Sequence, residues 1–100
     1  MFSNFSFANL ICDLNEQSTC TEILNEDDQQ LIDQVQKICL QNNQSLQQGN
    51  CSNQNLIGTC LFTRPLITFY YAPEYNDYSA EMTCNYSLGK YVRKSKHQIQ

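Results

Sequence analysis

The sequence predicts a small α+β domain that is rich in disulfide bonds and is built from two degenerate strand–strand–helix repeats. A chain of 100 residues can bury only a thin core, and its six cysteines approach the density of a disulfide scaffold. Two helical stretches end at Cys39 and Cys84, and two strand-like segments precede each. The predicted organisation is a first unit over 1–46, a polar linker over 47–54, a second unit over 55–92 and a basic, flexible tail over 93–100.

The first unit contains two short strand-like segments and one amphipathic helix. ANLIC, ending at Cys12, and TCTEIL, from Thr19 to Leu24, predict the strands. NEDD, from Asn25 to Asp28, supplies a helix cap and acidic residues that suit the start of a helix dipole. The helix is predicted from apolar residues at helical spacing: Leu31, Ile32, Val35, Ile38 and Cys39.

The second unit shows the same order. QNLIGTC, ending at Cys60, predicts its first strand, and RPLITFYYA predicts the second because it is rich in β-branched and aromatic residues. Asn76 or Asp77 can cap the helix that follows, and Gly89 marks the turn after it.

The two helices agree in register when they are aligned on their cysteines. Val35 then matches Ala80, so each helix carries a small apolar residue and a thiol on one face. We therefore predict a duplication, against the alternative of a single irregular domain with coincidental similarities. The duplication predicts three disulfides: Cys12–Cys39, Cys60–Cys84 and, for the two remaining cysteines, Cys20–Cys51. A local bridge between Cys39 and Cys51 would argue against the repeat.

The cysteines are expected to be structural. No pair has C-x2-C spacing, and the single histidine, His97, lies in the tail, so we expect no metal, no cofactor and no enzymatic activity. Disulfides persist in oxidising compartments, which predicts a periplasmic, cell-surface or secreted protein. The first twelve residues lack the basic start and unbroken apolar stretch of a secretory signal, and no apolar run is long enough for a transmembrane segment.

Charge is unevenly distributed along the chain. All ten acidic residues lie between Asp13 and Glu81, whereas four of the six basic residues lie in the last eleven positions. The acidic body argues against nucleic acid as a partner. The terminal KYVRKSKHQIQ, which begins at Lys90, is predicted to be a solvated end, with a partner-binding tail as the alternative.

One group of aromatic residues indicates a recognition surface: Phe62, Phe69, Tyr70, Tyr71, Tyr75 and Tyr78. Tyr70, Tyr75 and Tyr78 are candidates for an exposed binding patch, because tyrosine offers a large rigid contact area with a polar tip. Alternation along the predicted strand puts Tyr70 on one face and Tyr71 on the other, and one of these faces must be core. The alternative is that most of the rings pack beneath the helices.

The second unit also resembles a cysteine-bounded module of exported bacterial proteins and lipoproteins. The matching residues are Gly58–Cys60 (GTC), Tyr70–Pro73 (YYAP), Tyr75, Ala80, Cys84 and Gly89. The chain departs from that pattern at its second turn glycine. The resemblance implies an exported small domain of unassigned activity.

Two functions follow from these observations as hypotheses. The first is a non-enzymatic exported or envelope-associated module that binds a protein partner through a tyrosine-bearing face. The second is a small secreted effector, such as an inhibitor, a pheromone or a toxin-neutralising protein.

Overall fold

The structure is a computed structural model that describes residues 9–25 and 27–94. Its elements are β1 (Leu10–Leu14), β2 (Thr19–Ile23), α1 (Gln29–Gln41), β3 (Gln47–Gln48), β4 (Leu56–Leu61), β5 (Leu66–Tyr71), α2 (Asp77–Tyr86) and β6 (Lys90–Arg93). A 3-10 turn, Asn15–Gln17, joins β1 to β2. The six strands form one antiparallel sheet in the order β3-β1-β2-β5-β4-β6. The predicted α+β, disulfide-rich fold class is confirmed.

The two halves of the sheet have the same order of elements. In each half a strand pair is followed by a helix and then by a short strand that pairs with the first strand. β2 and β5 meet at the centre, where Thr21 faces Thr68 and their hydroxyl oxygens lie 3.1 Å apart. The sheet order therefore reads the same from either end. This agrees with the predicted repeat, although the duplication itself stays a prediction.

The first half has an aliphatic core. The Asp28 side chain caps α1 by accepting a hydrogen bond from the Leu31 amide at 3.1 Å. Glu26, which belongs to the predicted capping segment, lies outside the described residues. The core consists of buried side chains from β1, β2 and α1: Cys12, Ile23, Leu31, Ile32, Val35 and Cys39.

The second half has a smaller core, in which aromatic rings rather than aliphatic side chains surround the disulfide. Asn76 caps α2 through a capping box with Ser79. α2 buries only Ala80 and Cys84, which pack against Cys60 and Tyr70. Half-buried rings and one aliphatic side chain complete this cluster: Phe62, Tyr75, Tyr91 and Ile57.

Three disulfides tie these layers together. Cys12–Cys39 and Cys60–Cys84 join the first strand of each half to its helix. Cross-strand partners lie on one face of a sheet, and the Cys12–Thr21–Thr68–Cys60 row places both of these bridges on the same face. The third bridge, Cys20–Cys51, lies on the opposite face and ties the linker to β2. This is the pairing that the duplication predicts, and the alternative Cys39–Cys51 bridge is wrong.

Two strands, β3 and β6, were not predicted. The solvated end expected from Lys90 is wrong for Lys90–Arg93, which pairs with β4 because Tyr91 packs into the second core. The Lys94 amide also donates to the Ile57 carbonyl at 3.0 Å. Part of the predicted linker likewise forms β3. Residues 1–8, at the start of the first predicted unit, and 95–100, the rest of the predicted tail, lie outside the described residues.

Two glycines allow β6 to lie close against β4. A β-carbon on Gly58 would collide with the Tyr91 ring and would stand 2.7 Å from the Val92 carbonyl oxygen. A β-carbon on Gly89 would collide with the Cys60 sulfur and stand 3.0 Å from the Leu61 carbonyl oxygen. Both positions therefore require glycine because of close packing, which gives a physical reason for these two residues of the GTC and glycine-turn pattern.

Candidate functional site

The three tyrosines predicted to form an exposed patch occupy different environments. Tyr78 is 72% exposed, whereas Tyr70 is 3% exposed and belongs to the core of the second half. Tyr75 is half-buried, and its ring centroid lies 4.9 Å from that of Tyr70. The prediction that Tyr70 is exposed is therefore wrong, because strand alternation turns it toward α2. Burial, with a smaller contribution from Tyr75, raises the pKa of Tyr70 to about 12.

An exposed apolar stripe runs along the outer side of α2. Tyr78, Met82 and Tyr86 are 72%, 53% and 91% exposed, and their spacing of four residues places them on one side of the helix. Each is two positions from the buried Ala80 or Cys84, which corresponds to about 200° around the helix. We call Tyr78, Met82 and Tyr86 the α2 stripe. Their spacing in the sequence could have identified Met82 and Tyr86, which the sequence analysis missed.

The helix that carries the α2 stripe is firmly anchored. Cys84 is bonded to Cys60, and the Asn76–Ser79 capping box fixes the first turn. Asp77 receives a hydrogen bond from the Tyr91 hydroxyl at 2.8 Å and an ion pair from Arg93 at 3.4 Å. Burial and the bond to Asp77 raise the pKa of Tyr91. The α2 stripe is therefore presented by a rigid element.

The outer side of α1 lacks a comparable stripe. Ile38 and Leu40 are 53% and 56% exposed, but they are two positions apart and point about 200° from each other around the helix. Isolated exposed apolar residues of this kind are ordinary on protein surfaces. The contiguous stripe is a feature of α2 alone among these two helices.

A polar cleft lies at one end of the sheet, where the linker meets the β1–β2 turn. It has a volume of about 250 Å³ and is lined mainly by hydrogen-bonding side chains: Asp13, Asn15, Ser18, Ser52, Gln54, Asn55 and Tyr71. The Tyr71 hydroxyl donates to the Ser52 carbonyl at 2.8 Å. Burial, followed by the charges of Asp13 and Glu22, raises the pKa of Tyr71 to about 12, so this hydroxyl is neutral near pH 7. The cleft therefore offers hydrogen bonds to a small polar molecule, and its tyrosine hydroxyl is uncharged.

A buried carboxylate, Glu22, was missed by the sequence analysis. It is 7% exposed and lies on the sheet face opposite Tyr70. Its oxygens accept hydrogen bonds from the Cys51 amide at 3.0 Å, from the Asn50 side chain at 3.0 Å and from the Asn9 side chain. Because two of these donors belong to the linker, Glu22 holds the linker across β2. Its role in this arrangement is structural.

Two other kinds of site, a metal centre and a membrane-spanning helix, are absent from the described residues. Among residues 9–25 and 27–94, no group of three or more His, Cys, Asp or Glu side chains is placed to hold a metal ion. Within the same part of the chain, no helix has the length and apolar character needed to cross a membrane.

Comparisons of the chain with models of known families, with curated proteins and with solved structures found no match.

Proposed function

We propose that this protein is an exported, non-enzymatic module that binds another protein through the α2 stripe. The observation that carries this proposal is the exposure of Tyr78, Met82 and Tyr86 in one line on a helix. A solvated helix ordinarily presents charged and polar side chains on the side opposite its core. This helix instead presents two aromatic rings and a thioether.

The residue types of the α2 stripe support a protein partner. Tyrosine and methionine are enriched in the cores of protein interfaces, and tyrosine is among the residues that most often dominate binding energy. The two tyrosines combine apolar surface with hydroxyl groups that can find partners at the rim of a contact. The disulfide and the capping box that anchor α2 reduce the entropy that would be lost on binding.

The cysteines support the proposed compartment. Among the described residues all six are paired, in three disulfides. Such bonds are characteristic of small proteins outside the cytoplasm, which suggests an extracellular or periplasmic site of action. A cell-surface or secreted form of this chain would expose the α2 stripe to proteins of the envelope or the surrounding medium.

The proposal can be tested with two matched double variants. In Tyr78→Ser/Tyr86→Ser the α2 stripe loses its rings, whereas Ile38→Ser/Leu40→Ser removes two exposed apolar residues from α1. The immobilised wild type is incubated with an extracytoplasmic extract of the source organism. The partner that it retains is then titrated against the wild type and against each variant. We expect the α2 variant to bind at least about tenfold more weakly and the α1 variant to bind like the wild type.

Both variants should fold, because surface substitutions of this kind change stability by about 0.5 kcal/mol or less. Thermal unfolding provides that control. Equal binding by the α2 variant and the wild type, or an equal loss in both variants, would contradict the proposal.

A further inference from the structure

β6 is an edge strand with a regular set of unpaired backbone groups. The Lys94 amide donates to the Ile57 carbonyl, which makes these two residues a hydrogen-bonded pair of the antiparallel ladder. Hydrogen-bonded and non-hydrogen-bonded pairs alternate along such a ladder, so Val92 also bonds to β4. The backbone N–H and C=O groups of Tyr91 and Arg93 therefore point away from β4. No described strand pairs with this side of β6.

This edge is held in place by α2. The side chains of Tyr91 and Arg93 both reach Asp77 in the first turn of α2. The opposite edge of the sheet, β3, has only two residues, Gln47 and Gln48, and so offers little to a further strand. β6 is the longer edge, and its outward backbone groups are preorganised for pairing.

The side chains of β6 that face away from α2 form a row in which one apolar residue lies between two basic residues. Lys90 and Val92 alternate with the two residues that contact Asp77, and Lys94 continues the row. All three are exposed, with Val92 at 41%. Leu61, which is paired with Lys90, is 37% exposed on the same face and extends the apolar surface.

We propose that β6 accepts an extended acidic segment of a partner protein as an added antiparallel strand. The backbone of the segment would bond to the outward groups of Tyr91 and Arg93, as in other cases of strand addition. Charge complementarity calls for carboxylates opposite Lys90 and Lys94, with an apolar residue between them opposite Val92. This goes beyond the proposed function, because it uses the sheet edge and a different kind of recognition from the α2 stripe.

A second copy of the chain is a poorer occupant. When two β6 strands pair antiparallel with full overlap, Val92 meets Val92 and Lys90 meets Lys94 twice. Like charges directly opposite one another destabilise a strand pair. Basic residues can also serve only to protect an edge from pairing, and the experiment distinguishes that role.

The probe is a fluorescent heptapeptide, Thr-Glu-Thr-Val-Thr-Glu-Thr, added to the full chain with its disulfides intact. Fluorescence anisotropy measures binding, and amide hydrogen exchange by NMR locates it. We expect the Tyr91 and Arg93 amides to exchange more slowly in the complex, whereas the Val92 and Lys94 amides, already bonded to β4, change little. The control peptides carry Lys in place of both Glu residues, or Pro in place of the two Thr residues that flank Val, whose amides would otherwise donate to the outward carbonyls of Tyr91 and Arg93.

The variant Lys90→Glu/Lys94→Glu should bind the acidic peptide about tenfold more weakly and should prefer the Lys peptide. Tyr78→Ser/Tyr86→Ser should bind the acidic peptide like the wild type, so this test is independent of the α2 stripe. Two results would overturn the proposal. One is no binding of the acidic peptide. The other is binding without slower exchange at Tyr91 and Arg93, which would mean that the basic residues attract acids without pairing.

Discussion

The two halves of the molecule share an order of elements but differ in what they bury. Around the Cys12–Cys39 bridge the first half packs four buried aliphatic side chains: Ile23, Leu31, Ile32 and Val35. Around the Cys60–Cys84 bridge the second half packs only Tyr70 and Ala80 as further buried residues. The same scaffold can therefore surround its buried disulfide either with aliphatic side chains or with aromatic rings.

The two halves also differ in what they expose. Six of the nine large apolar residues that are exposed in the described chain belong to the second half: Leu61, Tyr78, Met82, Tyr86, Leu88 and Val92. Residues 1–46 carry seven acidic side chains and one basic, whereas residues 47–100 carry five basic and three acidic. In addition, the Cys20–Cys51 bridge and Glu22 fasten the linker to the sheet at β2, in the first half. The first half therefore buries more aliphatic side chains, and the second half exposes more apolar surface.

The largest expected effect is the loss of the second bridge. Each intra-half bridge closes a loop of similar length, with separations of 27 and 24 residues, so each contributes about 3 kcal/mol through the unfolded chain. Cys60→Ala/Cys84→Ala should nevertheless cost more than Cys12→Ala/Cys39→Ala, because few other side chains fill the second core. Amide hydrogen exchange should show rapid exchange throughout α2 and β6 in the first variant.

Chemical denaturation of the two double variants provides the quantitative comparison. In the variant that lacks the Cys12–Cys39 bridge, the α1 amides should remain partly protected from hydrogen exchange, because Leu31 and Val35 still pack in the core. Equal losses of stability in the two variants would show that the aliphatic residues of the first half do not compensate for its bridge.

The next effect concerns the linker. Glu22→Gln replaces one carboxylate oxygen by an NH2 group, which must face either the side-chain donors of Asn9 and Asn50 or the Cys51 amide, so at least one donor loses its acceptor. We expect a loss of about 1–3 kcal/mol in the free energy of unfolding. Glu16→Gln, at an exposed position, is the matched control and should be nearly neutral. Urea denaturation measures both, and a neutral Glu22 variant would contradict the role given to this residue.

A smaller effect should appear only at high pH. The pKa of Tyr70 is raised to about 12 in the folded protein, against about 10 in an unfolded chain. Between these values the folded state holds a proton that the unfolded state has lost, so stability falls as pH rises. At pH 11 this amounts to a loss on the order of 1 kcal/mol in the free energy of unfolding. Tyr70→Phe should show a correspondingly shallower loss of stability from pH 9 to 11, and an unchanged slope would contradict the burial of the hydroxyl.

The features that local pattern determines could be predicted from the sequence. The apolar spacing of Leu31, Val35 and Cys39 predicts α1, and the observed helix buries all three. The shared register of Cys39 and Cys84 led to the disulfide pairing, because a thiol on the buried side of each helix can bond to the cysteine on the first strand of the same half. Alternation in β5 separates Tyr70 from Tyr71 as predicted, but it does not say which face a helix covers.

The features that were missed depend on tertiary contacts. β3 consists of two glutamines with no strand pattern of their own, and it exists because Leu10 and Ile11 offer a partner edge. β6 was hidden by its basic residues, and its pairing depends on Gly58. Met82 and Tyr86 are an exception, because their helical spacing from Ala80 and Cys84 already places them on the exposed side of α2.

The central claim is that the α2 stripe contacts a protein, and site-specific photocrosslinking tests it most directly. Met82 and Ile38 are helical residues that are each 53% exposed, which makes Ile38 a control matched in exposure. Each is replaced in turn by photoreactive benzoylphenylalanine, and the protein is irradiated in its native compartment. We expect one discrete covalent adduct from position 82 and none from position 38. Equal adducts from the two positions, or none from position 82, would contradict it.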